Sequence, residues 1–167
     1  YYVKNSWVEL TDNYSVGKSS ASLNFHAYKI NSSWTSYGFT TDSLPKLNYS
    51  TVVSSNLKIY DVVDSITTFD LSTSLVSDWM LRAAGDSSKI NYGIYLKPTS
   101  GSSKIIGYQA LTSTLTDAPT LYVVLQKVGS YQDTLTFTSD QDVAAVKGEY
   151  PANSNNIYAQ GSLELRS

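Results

Sequence analysis

Hydrophobic and polar residues alternate with a period of two along much of the chain. The segment Lys89–Lys97 shows the pattern most clearly, since apolar or aromatic residues fall at every second position from Ile90 to Leu96. Such alternation is typical of a strand with one buried face. The same pattern predicts three further strands: Leu47–Val53, Thr120–Val128 and Tyr131–Thr138. Weaker alternation predicts five more: Ser6–Leu10, Ala21–Ile30, Asn56–Val63, Ile66–Leu71 and Lys104–Leu111.

Turn-forming clusters rich in Gly and Ser separate these segments, as at Gly85–Ser88 and Thr99–Ser103. Short strands with frequent turns favour a sandwich or barrel over parallel βαβ units. Helical spacing occurs only in Thr73–Ala84, where Leu75 and Trp79 share one side, and a single turn or an irregular strand is the alternative there. The predicted fold is an all-β, Ig-like antiparallel β-sandwich, and residues 1–167 form a single domain.

Composition narrows the classes of function. Charged residues make up 16% of the chain, the net charge is -2, and Lys and Arg are scattered, so nucleic acid is not an expected partner. No run approaches the roughly 20 apolar residues of a membrane span. The absence of cysteine excludes disulfides and thiolate chemistry. The start at Tyr1 favours removal of a signal peptide over trimming during cloning, and we expect an exported, extracellular or cell-surface protein.

Candidate catalytic groups are few. His26 is the only histidine, which leaves little for a catalytic triad or a histidine metal site, and it is interpreted as an ordinary strand residue. The aspartate pairs Asp61 with Asp64 and Asp140 with Asp142 lack the Gly and Glu positions of a calcium loop. A glycosidase needs two carboxylates across a cleft, and acids are sparse here. We therefore expect no enzyme, no cofactor and no bound metal.

Aromatic residues are the most unusual feature of the composition, with 14 tyrosines and three tryptophans against four phenylalanines. Tyr and Trp combine an apolar body with a polar atom, which suits contact surfaces as well as the margins of thin cores. Trp34, Tyr37 and Phe39 cluster near Gly38 and form a candidate platform for stacking on a sugar. The alternative interpretation is that they are core and strand-flanking residues.

The last strand-like segment follows the polar run Ala152–Asn156. One face of it carries side chains of graded size, and these are Ile157, Ala159, Gly161, Leu163 and Leu165. A strand inserted into a groove of a neighbouring subunit needs such a face, with Gly where the groove is shallow. An ordinary final strand of the same sandwich shows the same pattern, so residues 152–167 are predicted to be either a donor strand or a terminal strand.

Two segments, Ile90–Leu96 and Gly129–Thr138, resemble the late strands of bacterial chaperone–usher pilus subunits, including the spore coat U-like type, where a Gly-x-Tyr-x-Asp-Thr-Leu-Thr phrase is common. The resemblance covers about a third of the chain. It implies an incomplete Ig-like sandwich that is completed by a strand from the neighbouring subunit. Such subunits usually donate an N-terminal extension and often carry a disulfide, whereas this chain has no cysteine. The donor strand is therefore left open between the N-terminal and the C-terminal end. An engineered C-terminal extension is a further alternative.

The predicted function is that of a structural subunit of an extracellular filament or fimbria, polymerising by strand donation with copies of itself or related subunits as partners. The five apolar-face residues of 157–165 are the predicted subunit contact. The alternative is a monomeric adhesin-like or lectin-like sandwich that binds a host or surface glycan or receptor through Trp34, Tyr37 or other tyrosines. An enzyme is a distant third.

Overall fold

The computed structural model describes residues 1–60, 66–110, 118–129 and 131–140, and for 55–60 it describes the backbone. Within this part of the chain a 3₁₀ helix covers Thr41–Lys46 and an α-helix, α1, covers Thr73–Ala83. The strands are β1 (Tyr2–Val16), β2 (Ser22–Ile30), β3 (Tyr49–Tyr60), β4 (Ile66–Asp70), β5 (Ile94–Pro98), β6 (Ile105–Tyr108), β7 (Thr120–Gln126) and β8 (Gln132–Thr138).

The strands form two antiparallel sheets. The first has the order β4-β1-β7-β8, and β6 pairs with the far end of β1. The second has the order β3-β2-β5. The architecture confirms the predicted class, an all-β antiparallel sandwich-like fold.

The hydrophobic core lies between the two sheets. In β2 the inward residues Phe25 and Ala27 are 2% and 0% exposed, and in β7 the inward Val123 is 0% exposed. The Phe25 ring meets the ring of Phe69 from β4 edge-on, with centroids 5.8 Å apart, so aromatic packing joins the sheets. Helix α1 packs against β1 and adds Val76, which is 0% exposed, to the core.

The segment predicted as the clearest strand differs from the prediction in its first half. Strand β5 begins only at Ile94, because Gly93 has a φ of +80°, a left-handed conformation that ends the extended chain. Asn91 holds this turn, since its Oδ1 accepts a hydrogen bond of 3.2 Å from the Gly93 N–H. The period-2 pattern from Ile90 to Tyr92 therefore lies in irregular chain. In Thr73–Ala84 the helical interpretation is the correct one, with Leu75 and Val76 buried.

Candidate functional site

Strand β8 forms one edge of the first sheet, and in the described part of the chain it pairs with β7 alone. Its alternation places Leu135 and Phe137 on the core side, where they lie opposite Val123 and Leu121 of β7. Its outward positions are three threonines and a glutamine: Gln132, Thr134, Thr136 and Thr138. Among the described residues, the outer backbone groups of this edge have no ladder partner, and the core-side face beside them carries Leu135 and Phe137 together with Asp133 near its start.

Exposure rises along one row of core-side residues toward β8. Phe69 of β4 is 3% exposed and its partner Val8 of β1 is 7% exposed. Val8 faces the half-buried Leu121 of β7, and Leu121 faces Phe137 of β8, which is 41% exposed. In the described residues, burial of the core-side row thus falls from β4 toward β8, where Leu135 is half-buried and Phe137 is exposed.

The residues predicted to form the donor face, Ile157, Ala159, Gly161, Leu163 and Leu165, lie outside the described residues. So do the aspartates Asp61, Asp64 and Asp142 of the sparse acidic pairs. Within the described ranges no group of three or more metal-ligating side chains comes together. His26 lies on β2 as predicted, half-buried with its ring edge-on to Tyr28.

The predicted sugar platform divides into two parts. Trp34 and Phe39 pack edge-on, with ring centroids 6.0 Å apart, and Trp34 Nε1 donates a hydrogen bond of 2.7 Å to the Tyr92 carbonyl. Both side chains are half-buried, so they anchor this loop to the chain that precedes β5. Tyr37 is 92% exposed and is the member of the trio that presents a full ring to solvent.

A second group of aromatic residues, which no local sequence pattern indicates as a group, lies on the outer face of the second sheet. We call it the tyrosine face, and it consists of Tyr28, Tyr49, Tyr95 and Lys97. Tyr49 is central, since its ring centroid is 5.1 Å from that of Tyr28 and 5.0 Å from that of Tyr95. Lys97 Nζ donates a hydrogen bond of 2.9 Å to Tyr49 Oη. The alternation of β2 was the available signal, because burial of Phe25 and Ala27 turns Tyr28 outward.

The outer face of the first sheet carries a different aromatic pair. Trp7 of β1 and Tyr122 of β7 are register partners, and their rings are stacked within 3° of parallel at a centroid distance of 5.0 Å. Trp7 Nε1 donates a hydrogen bond of 2.9 Å to Glu9 Oε1. The negative charge of Glu9 raises the pKa of the Tyr122 hydroxyl. This pair is internally satisfied and stiffens the β1–β7 ladder.

No helix among the described residues is long and apolar enough to cross a membrane. A scan against protein-family models finds no match for the chain, and searches of curated proteins and of solved structures find no relative.

Proposed function

We propose that the chain is a non-enzymatic structural subunit of an extracellular filament and that a strand from a neighbouring copy adds to the β8 edge. The observation that carries this proposal is the open inner face of β8, where exposure in one row rises from 3% at Phe69 to 41% at Phe137. An added strand beside β8 would pair with its free backbone groups. Its inward side chains would then cover Leu135 and Phe137.

Two energetic contributions favour such a strand. Each backbone hydrogen bond made at the edge contributes about 0.5–1.5 kcal/mol net. Covering the exposed 41% of Phe137 adds roughly 1 kcal/mol, because full burial of such a side chain is worth about 1.5–3 kcal/mol. Several hydrogen bonds along β8 therefore supply most of the affinity, and the apolar contacts fix the register.

The C-terminal segment is the proposed donor. Strand β1 is engaged in the first sheet, since Tyr2–Glu9 pairs with β7 and Asp12–Val16 pairs with β6. An N-terminal donor would have to abandon these ladders. The segment 157–165 instead offers an apolar face of graded size on alternate residues, which is the pattern that an inserted strand requires.

The experiment compares Leu163→Asp with Ser162→Asp in the full chain. Both substitutions add one negative charge to the same segment, but Leu163 belongs to the apolar face and Ser162 to the opposite face. We expect Leu163→Asp to abolish filaments, because a carboxylate cannot be buried in the groove without a large desolvation penalty. Ser162→Asp should assemble normally. Negative-stain microscopy and size-exclusion chromatography measure the outcome.

The acceptor side has its own matched pair, Phe137→Lys and Thr136→Lys. Phe137 points to the core side and Thr136 to the outer side of β8. Phe137→Lys should prevent assembly while Thr136→Lys permits it. Normal filaments from Leu163→Asp would show that the C-terminal donor is wrong, and a wild-type chain that remains a monodisperse monomer would remove the filament proposal altogether.

A second candidate function is binding of a surface glycan or receptor by the monomer. Tyr37 favours it, because the loop anchored by Trp34 and Phe39 presents a ring that is 92% exposed and can stack on a ligand. In this function Trp34 and Phe39 hold the loop in place, and Tyr37 makes the contact.

A further inference from the structure

The register of the strand ladders brings the residues of the tyrosine face together. Tyr28 of β2 lies opposite Tyr95 of β5, and the preceding outward position, His26, lies opposite Lys97. Tyr49 comes from β3 on the other side of β2, and its ring packs edge-on against both other tyrosines at 66° and 64°. All three rings are half-buried and contact one another, which reduces the ordering that binding of a ligand would require.

Lys97 adds a positive charge to this face. Its ammonium donates to Tyr49 Oη and lies 5.3 Å from the centre of the Tyr49 ring. The hydrogen bond to Tyr49 raises the pKa of the Lys97 ammonium, which stays charged at neutral pH. In the part of the chain that the structure describes, the contacts of Lys97 are with tyrosines and not with a carboxylate. The face therefore carries a cation that is available to an anionic ligand.

Lys97 and Tyr49 also keep hydrogen-bond donors that a ligand can use. An ammonium has three protons, and one of them is used on Tyr49. The remaining two can bind the oxygens of a carboxylate in charge-assisted hydrogen bonds. Because Tyr49 Oη accepts from Lys97, its own proton is left to donate to an acceptor on a ligand.

We infer that the tyrosine face is a binding site for an acidic saccharide, a sugar ring that bears a carboxylate. The apolar C–H face of the sugar packs against the Tyr49 and Tyr95 rings, its carboxylate pairs with Lys97, and a neighbouring hydroxyl accepts from Tyr49. The charge complementarity selects an acidic over a neutral sugar. An open sheet face with rings and hydroxyls side by side suits a pyranose, whereas an acidic peptide would offer charge without a flat apolar face to cover the rings.

The site lies on the second sheet and does not depend on strand addition at β8, so the two proposals fail separately. The probe is a short oligogalacturonate, and its fully methyl-esterified form is the neutral control with the same sugar rings. Binding to the full chain is measured by isothermal titration calorimetry at low and moderate salt. We expect the acid form to bind and the methyl ester to bind at least about tenfold more weakly, which matches the worth of a charged hydrogen bond.

The variants locate the site. Lys97→Gln should lower affinity for oligogalacturonate roughly tenfold to a hundredfold, and Tyr49→Phe, which keeps the ring and removes the hydroxyl, about two- to tenfold. Lys4→Gln is the control for the loss of one exposed positive charge, and it should leave binding unchanged. Tyr37→Ala should also bind normally. Lys97 is exposed, so Lys97→Gln should fold and, if the filament proposal holds, assemble as the wild type does.

Four results would overturn the assignment. The first is that the acid form does not bind at all, and the second is that the methyl ester binds as tightly as the acid. Lys97→Gln binds as the wild type does while Tyr37→Ala loses binding, which would place the site on the loop that carries Tyr37. Polyglutamate of similar charge binds as tightly as oligogalacturonate with the same response to Lys97→Gln, which would show attraction of anions without recognition of sugar.

Discussion

Tyr108 is a polar side chain placed where water has little access. It lies on β6 opposite Asp12 of β1, and Thr67 Oγ1 from β4 donates a hydrogen bond of 2.9 Å to Asp12 Oδ1. Burial raises the pKa of the Tyr108 hydroxyl above its ordinary value, and the negative charge of Asp12 raises it further. Loss of the Tyr108 proton is therefore harder in the folded chain than in the unfolded chain.

This shift predicts a loss of stability at alkaline pH. The unfolded chain releases the Tyr108 proton near pH 10, while the folded chain still holds it, so the stability is complete below about pH 10 and falls as pH rises through the folded pKa. In Tyr108→Phe the fall should be smaller, because no proton is lost. Urea unfolding between about pH 8 and 11 measures the difference.

The matched control for that experiment is Tyr37→Phe, which removes a hydroxyl from a side chain that is 92% exposed. It should follow the wild-type pH dependence. If Tyr108→Phe loses stability with the same pH dependence as the wild type and as this control, the buried hydroxyl does not contribute to the alkaline transition.

Single residues show a clear limit on what the sequence could predict. That Tyr28 points outward follows from the alternation of β2 with Phe25 and Ala27. That Tyr49 and Tyr95 join it does not follow, because their meeting depends on which strands flank β2 and on the register of each ladder. Side chains that come from separate strands can be grouped only once the strand order β3-β2-β5 is known.

In the ladder between β1 and β6, an aromatic ring lies over a glycine. Tyr14 and Gly107 are register partners, and a Cβ at position 107 would collide with the Tyr14 ring. The ring lies across the space that a side chain at 107 would need. Gly107 therefore permits the close approach, and Tyr14 covers the backbone that the glycine leaves bare.

A double-mutant cycle tests this pair. Gly107→Val should lower the free energy of unfolding by about 1–2 kcal/mol, because the Tyr14 ring must move to make room. In a Tyr14→Ala background the same change should cost little or be stabilising, since Val is favoured over Gly in strands. Urea unfolding of the four chains gives the coupling free energy. Equal effects of Gly107→Val in both backgrounds would mean that the ring and the glycine are not coupled.

Strand β1 shows why one element was predicted at only part of its length. Alternation predicts only its middle, Ser6–Leu10, whereas the strand extends over Tyr2–Val16. Register shifts between Val3 and Asn5 and between Asp12 and Tyr14 interrupt the ladders. A bulge inserts one residue, so the inward side chains change from odd-numbered to even-numbered positions. Val3 packs on the core before the bulge, and Ser6, Val8 and Leu10 are buried after it. A strict period of two cannot follow a strand across such positions.

The two sheets are joined through the aromatic contact between Phe25 and Phe69. Phe25→Ala should reduce the free energy of unfolding by about 3–5 kcal/mol, since it removes a buried ring and leaves a cavity between the layers. Far-UV circular dichroism and tryptophan fluorescence during urea unfolding measure the change. Both probes should move to the same lower midpoint, because Trp7 on the first sheet and the backbone of both sheets depend on one core.

Phe137→Ala removes the same ring from a position that is 41% exposed, and it should cost only about 1 kcal/mol. Similar losses from Phe25→Ala and Phe137→Ala would contradict the burial gradient toward β8, since the two rings would then contribute equally.

The class of the fold followed from the sequence, because alternation in short segments between turns leaves few architectures other than a sandwich or barrel. The open edge did not follow, since the alternation of Leu135 and Phe137 with Thr134, Thr136 and Thr138 is equally typical of a strand in the middle of a sheet. Which strand ends a sheet is decided by the order of the strands, and only the assembled fold shows it. The predicted donor residues of 157–165 stay a prediction.

The pairing of β1 also constrains how the chain reaches its native state. Its first residues pair with β7, where Tyr2 Oη donates to a Gln126 side chain 124 positions later, and its middle pairs with β4. Until β4 and then β7 have been synthesised, β1 lacks its native partners in the first sheet. Such non-local topology is expected to fold slowly, in roughly milliseconds to seconds, and both flanks of a 15-residue strand stay open to wrong partners meanwhile. Correct folding in the cell then depends on keeping β1 from pairing with strands of other copies of the chain until β7 has been synthesised.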